Sequence, residues 1–167
     1  MKVYFDHMAN TPVGQRVIDA MLIHLKGTYG NPLNLHDFGQ KSAQVIEDSR
    51  KKVAELIGAD PSEVIFTSSG SESNNFALKG IAKAYEKKGL PAGRQGKHIV
   101  TSSIEHFSIL YPLKELEKEG FKVTYLPVDK FGFIDPDAVS KALTSETILV
   151  TLTHASNEIG TIEPIKE

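Results

Sequence analysis

Three polar clusters hold the residue types that can do chemistry. The first lies in residues 66–79, Phe-Thr-Ser-Ser-Gly-Ser-Glu-Ser-Asn-Asn-Phe-Ala-Leu-Lys, where an apolar run ends in small residues and an apolar helical face follows. Ser68, Ser69, Gly70 and Ser71 would expose backbone N–H groups at the start of that helix, and Ser71 adds a hydroxyl donor. Unpaired N–H groups and the positive end of a helix dipole suit a dianionic phosphate, the dipole alone contributing roughly 0.3–2 kcal/mol. The same residues also fit plain helix capping, since Ser69 and Ser71 are each followed three residues later by Glu72 and Asn74. Local sequence leaves both readings open. Neither a Gly-x-Gly-x-x-Gly nor a Gly-x-x-x-x-Gly-Lys-Ser/Thr pattern occurs, so no dinucleotide or nucleoside triphosphate is indicated.

The second cluster is Ser-Ser-Ile-Glu-His at 102–106, and the third is Thr-His-Ala-Ser-Asn-Glu-Ile-Gly at 153–160. His106 belongs to the one side-chain type that ordinarily changes charge near neutral pH, which suits proton transfer. It reads equally as a surface histidine at a helix start. Asn157 reads on its own as a turn residue. The six histidines show no His-x-x-x-His or His-Glu-x-x-His spacing, and cysteine is absent. Zinc sites, disulfides and thiol nucleophiles therefore have no support within these residues.

The elements that must position these clusters alternate. Residues 13–25 carry Val17, Ala20, Met21, Leu22 and Leu25 at helical spacing and predict a helix with one buried stripe. A Gly/Asn/Pro-rich loop follows at 27–36, then a long amphipathic helix over 37–57 closed by Gly58. Strands are predicted at 64–67, 98–101, 122–127 and 147–152, with helices from the first cluster to about 88, over 106–119 and after Asp135-Pro136. Residues 90–96 break all periodicity and predict a surface loop. Such alternation implies right-handed crossovers and a mostly parallel sheet covered on both faces. Ligands bind outside the carboxyl ends of the strands in sheets of this kind, where all three clusters fall.

Composition sets outer bounds. The 167 residues are 40% apolar with a formal net charge of −2, in the range of one soluble domain with a sizeable core. Mixed positive and negative residues argue against a nucleic-acid surface. No apolar run of about 18 residues and no basic-then-apolar leader occurs, which predicts a cytoplasmic protein without membrane contact.

In combination, the motifs resemble the class V aminotransferase family, most closely its NifS/IscS-type cysteine desulfurases. The resemblance rests on Tyr4-Phe-Asp-His7 with Asn10-Thr-Pro-Val13, Gly30-Asn-Pro32 with Leu35-His36 and Phe38-Gly39, and Gly58-Ala-Asp-Pro61. It continues through Ile65-Phe-Thr-Ser68 with Ser71-Glu-Ser73 and Asn75, then Glu105-His106, then Ser156-Asn-Glu-Ile-Gly160. It implies an α/β chain: part of the large domain of the PLP-dependent transferase fold type I, a mostly parallel sheet flanked by helices, with an N-terminal helical arm. Residues 1–167 would form an incomplete PLP-binding domain, with 1–36 as arm and loop and 37–167 as the α/β cofactor-binding part. Gly70 and Ser71 would hold the phosphate of pyridoxal 5′-phosphate. His106 would stack on its ring and help move protons, and Asn157 would bond near its phenolic oxygen and the substrate carboxylate. Asn31 and His36 would shape a loop near the site or a dimer contact.

The activity so implied converts L-cysteine to L-alanine and leaves sulfur as a persulfide for iron–sulfur cluster or thio-cofactor synthesis, in a homodimer that meets a sulfur acceptor or scaffold protein. The family's cofactor-bearing lysine, pyridine-nitrogen aspartate, persulfide cysteine and substrate arginine all correspond to positions beyond Glu167, and Lys166 belongs to a different motif. The resemblance thus implies an N-terminal fragment, inactive alone, and a sheet without the elements that would cover its apolar faces predicts a chain that is unstable alone or associates through exposed surface. Two other functions fit the same residues: a non-catalytic remnant or binding module, and another class V enzyme such as a selenocysteine lyase or an aminotransferase. Met8, Asn10 and the Ser69-Gly70 pair depart from the usual pattern, and 90–96 resembles an insertion.

Overall fold

The computed structural model describes residues 1–89 and 96–167, so the predicted loop at 90–96 lies, but for Gly96, outside the described residues. The chain divides into two units, Met1–Phe66 and Thr67–Glu167.

The first unit holds helix α1 (Gln15–Gly27), helix α2 (Asp37–Ile57) and a 3₁₀ turn, Pro61–Glu63. α2 starts where His36 Nδ1 accepts the Gly39 N–H at 3.1 Å, and it stops at Gly58, whose φ of 68° places it in the left-handed region that glycine tolerates. The loop before it is drawn tight. A Cβ on Gly30 would collide with the Phe38 carbonyl, and one on Gly39 with the Asn31 and Asn34 carbonyls. Asn31 Oδ1 accepts the Leu33 N–H at 2.9 Å inside that loop. Asp60 and Glu63 form a reciprocal capping box around the 3₁₀ turn.

Two expectations for this unit change. α1 forms, but none of its residues is buried, and Val17, Met21 and Leu25 remain exposed. An apolar stripe is buried only if another element lies on it, and within this unit none of the described elements does. Residues 64–67 are extended but are not a strand, because no neighbouring chain among the described residues supplies ladder partners. Arg50 from α2 holds this segment instead, donating to the Val64 carbonyl and stacking 5.0 Å from the centre of the Phe66 ring.

The second unit contains α3 (Gly70–Lys88), β1 (His98–Ser102), α4 (Phe107–Lys118), β2 (Lys122–Leu126), α5 (Pro136–Ala142) and β3 (Thr147–Thr151). The strands form one parallel sheet in the order β2-β1-β3. Every residue of β1 is buried, as a central strand covered on both faces requires. Side chains alternate across it: Ile99 joins Leu78, Ala82, Leu113 and Leu116 beneath α3 and α4, whereas Val100 joins Leu126 and Ile134 on the α5 face. The mostly parallel α/β sheet flanked by helices is therefore present. Among the described residues no helix is long and apolar enough to cross a membrane.

The amino edge of the sheet is pinned by one buried histidine. His98 Nδ1 lies 2.7 Å from Thr147 Oγ1 on β3, and Nε2 lies 2.8 Å from Thr124 Oγ1 on β2. Burial pushes the pKa of His98 below its ordinary 6.5, with Glu146 opposing that shift and Lys122 adding to it. The unfolded chain then binds this proton more readily than the native one, so the His98 contribution is fully present above pH 6.5 and declines as pH falls from there through the lower native pKa. Denaturant unfolding of the intact protein should show stability dropping across this acid range. His98→Gln should lower stability at neutral pH and flatten that part of the profile; an unchanged profile would remove His98 as its source.

Candidate functional site

The start of α3 is a capped turn in which some N–H groups are taken and others are not. Ser69 is the N-cap, its Oγ accepting the Glu72 N–H at 3.2 Å, and the Ser73 N–H closes the first helical bond to the Ser69 carbonyl at 3.0 Å. The Glu72 carboxylate folds back onto Ser68, taking both its N–H and its hydroxyl at 2.6 Å. Those two bonds, the hydroxyl first, hold Glu72 below the usual carboxylate range. Among the described residues nothing accepts the N–H groups of Gly70 or Ser71. A Cβ at Gly70 would meet no atom within 4 Å, so the space beside these donors is open. Capping is real here, and it leaves two helix-start donors unused.

His106 is the N-cap of α4. Its Nδ1 accepts the Ser108 N–H at 3.0 Å and lies 2.7 Å from Ser108 Oγ. Asn74 of α3 donates through Nδ2 to the same Oγ at 2.8 Å, which ties the first turns of α3 and α4 together. The imidazole itself is exposed.

Immediately before it, Glu105 is buried at 6% exposure. One carboxylate oxygen accepts the Ser102 hydroxyl at 2.6 Å and the Thr153 N–H at 2.8 Å, and the other accepts the Thr153 hydroxyl at 2.7 Å. A carboxylate can be buried without a cation only when hydrogen bonds replace its hydration, and here three do. Glu105 thereby joins the carboxyl end of β1 to the loop after β3. That loop closes on Ser156, whose Oγ accepts the Glu158 and Ile159 N–H groups at 3.3 Å each and whose carbonyl accepts the Gly160 N–H at 2.9 Å. Asn157 stands exposed on this turn, and nothing among the described residues bonds its side chain.

Two depressions meet at His106. One, of about 410 Å³, is lined by Ser71, Asn75, Lys79, His106 and Ser108. The other, of about 90 Å³, is lined by Glu105, His106, Thr153, Ser156 and Asn157. Ser71 and Asn157 thus line different depressions that share His106, with Gly70 adjoining Ser71 in the chain. A separate recess of about 380 Å³ around Ile134, Val139, Leu152 and Glu163 contains none of them. Asn31 and His36 lie in the first unit, where they shape the loop into α2.

The family model for aminotransferase class-V matches residues 3–167. The chain belongs to the class-V aminotransferase family. Among class-V relatives, a protein named cysteine desulfurase IscS from Dictyoglomus turgidum is 51% identical over 166 residues, which are 99% of this chain and 40% of that protein. Another of the same name from Methanosarcina thermophila is 48% identical over 165 residues, 99% of this chain and 39% of its own length. A solved structure described as a NifS-like protein superposes with a TM-score of 0.91 at 39% identity, covering 99% of this chain and 44% of its own. A second, described as SspA in complex with cysteine, gives a TM-score of 0.86 at 38% identity, covering 97% of this chain and 45% of its own. The chain therefore spans about two-fifths of the length of the class-V relatives it matches. The class-V families to which these relatives belong are PLP-dependent, and these neighbours share the fold-type I sheet and its helices.

Sequence reasoning missed Glu105, Thr153, Asn74 and Ser108 as parts of this candidate site. Glu105 stood beside His106 in a motif but had no visible role, because Thr153 is 48 positions away in the chain. Glu105→Ala should leave the Thr153 N–H and the buried Ser102 hydroxyl without partners and cost about 1–3 kcal/mol, measured by denaturant unfolding of the intact protein. Glu105→Gln retains two acceptor positions and should lose less. Amide exchange at Thr153 should quicken in the alanine variant first; equal exchange in both would refute the clamp.

Proposed function

We propose that this chain is the N-terminal part of a PLP-dependent cysteine desulfurase that acts with residues outside it. The observation that carries the reading is the convergence on His106: open helix-start donors on one side, the Asn157 turn on the other. Identity of 51% and 48% to proteins named cysteine desulfurase supports the substrate, as does the cysteine in the SspA complex. The residues present fit the cofactor. The unused Gly70 and Ser71 N–H groups, with the Ser71 hydroxyl, supply donors for a phosphate dianion at the start of a 19-residue helix. His106 offers an exposed ring held by its own helix cap, and Asn157 offers an unengaged amide. When bound, PLP supplies an electron sink for bonds at the substrate's α and β carbons.

This chain's own part is to bind and orient. Gly70 and Ser71 hold the phosphate, His106 stacks and handles a proton at its ring edge, and Asn157 orients polar groups of cofactor and substrate. These 167 residues contain no cysteine, so the sulfur carrier is a thiol outside them. We read the intact protein as a cytoplasmic homodimer that passes sulfur to an acceptor for iron–sulfur cluster assembly. The exposed Val17, Met21 and Leu25 of α1 support a covering partner surface.

The intact protein should take up PLP with a visible absorbance band, retain it after borohydride reduction, and release alanine from L-cysteine with persulfide left on protein. Release of alanine only from selenocysteine, or transfer of the amino group to a 2-oxo acid, would assign a different class-V reaction. Failure to take up PLP would favour a non-catalytic binding role. Ser71→Ala should weaken PLP binding by about 1.5–3 kcal/mol, tenfold or more, as expected for a hydrogen bond to a charged group; a fluorescence titration reads the difference.

A further inference from the structure

Nδ1 of His106 faces a donor whose hydrogen position is not open to choice. The Ser108 backbone N–H points at it from 3.0 Å, so in this arrangement Nδ1 has its lone pair exposed and carries no hydrogen. Ser108 Oγ sits 2.7 Å from the same nitrogen. Because Nδ1 presents a lone pair, the hydroxyl must donate to it, and the Asn74 amide, which donates to Ser108 Oγ at 2.8 Å, leaves that hydrogen free to do so. The donor order therefore runs one way, from Asn74 Nδ2 to Ser108 Oγ to His106 Nδ1. The remaining ring nitrogen, Nε2, has no partner among the described residues. It carries the hydrogen, on a ring that lines both depressions.

We propose that Asn74 and Ser108 are positioning residues that fix His106 as the Nε2–H tautomer, so that His106 meets a bound ligand as a hydrogen-bond donor through Nε2. The substrate-facing half of this statement rests on the desulfurase reading above; the tautomer itself does not. A consequence follows for proton handling. A hydrogen on Nδ1 would confront the Ser108 N–H, so the ring must release its own helix cap before that nitrogen takes up a proton.

The test is ¹⁵N-edited NMR of the imidazole side chains in the intact protein without added PLP or cysteine, with the His106 signals assigned by His106→Asn. Wild type should show the pattern of a protonated Nε2 and an unprotonated Nδ1. Ser108→Ala, which keeps the backbone N–H and loses the hydroxyl, should lower the ratio of Nε2–H to Nδ1–H by about tenfold, the worth of one neutral hydrogen bond. Ser108→Thr should restore it. Asn74→Asp is the sharper variant, because a carboxylate accepts from Ser108 Oγ, reverses the donor order and should move the ratio as Ser108→Ala does. A purely structural role for Ser108 would lower stability and leave the tautomer unmoved. A predominant Nδ1–H form in wild type, or identical patterns in wild type, Ser108→Ala and Asn74→Asp, would overturn the proposal. Loss of the desulfurase reading would appear instead as missing PLP uptake with the tautomer pattern intact. With PLP and cysteine present, Ser108→Ala should lower kcat more than it raises KM, and Ser108→Thr should recover it.

Discussion

The carboxylate of Glu105 is the contact on which the site depends. Three adjacent parallel strands have no covalent reason to keep the loops at their carboxyl ends in register with one another, because each loop belongs to a different crossover. Glu105 supplies that reason. It is buried directly before His106, and its two oxygens are filled by Ser102 at the end of β1 and by Thr153 just past β3. A carboxyl group buried in that position is costly unless hydrogen bonds replace its hydration, so each of these bonds matters. The loop bearing Asn157 is thereby tied to the turn bearing His106 by a contact that cannot loosen gradually.

The two edges of the sheet are held by different means. At the amino edge, His98 reaches sideways to threonines on both neighbouring strands, and either hydroxyl can donate or accept. That pin adapts to the state of the ring and belongs to stability. At the carboxyl edge the Thr153 N–H can only donate, and the Ser102 and Thr153 hydroxyls donate beside it, so the group between them must be an acceptor. The edge whose bonding allows less latitude is the one that carries the candidate site, as preorganised sites require. Between them, β1 is buried along its whole length, so a displacement at either edge is transmitted through packed side chains rather than absorbed by solvent.

Much of this was legible in the chain. Among the described residues, periodicity located the five α-helices to within a few residues, and runs of β-branched and aromatic residues located the three paired strands, since these signals are local. Residues 64–67 have the same strand composition but are unpaired, because a strand is defined by its neighbour and composition says nothing about which neighbour is present. The α1 stripe misled for the same reason: Val17, Met21 and Leu25 record that a surface is to be covered, not where the cover lies. In the candidate site, His106, Gly70, Ser71 and Asn157 could be singled out because their motifs are contiguous. Glu105, Asn74 and Ser108 could not, because the bonds that define their roles span turns and helices whose approach is a property of the fold.

The start of α3 shows why two readings that compete in a sequence need not compete in a structure. Four N–H groups at a helix start lack helical partners, and a capping serine satisfies only one of them. Ser69 takes the Glu72 N–H, while Glu72 itself turns outward to Ser68. Capping on this pattern orders the turn without occupying the donors of Gly70 and Ser71, and an ordered turn is what an anion needs if binding is not to bear the entropy of arranging it. Had Glu72 turned toward Gly70 and Ser71 instead, its carboxylate would have filled the same place as a phosphate and repelled one. The two bonds from Ser68 are what hold it elsewhere. The cap therefore orders the turn while leaving the Gly70 and Ser71 donors open, and Ser68, by holding Glu72, keeps its carboxylate away from them.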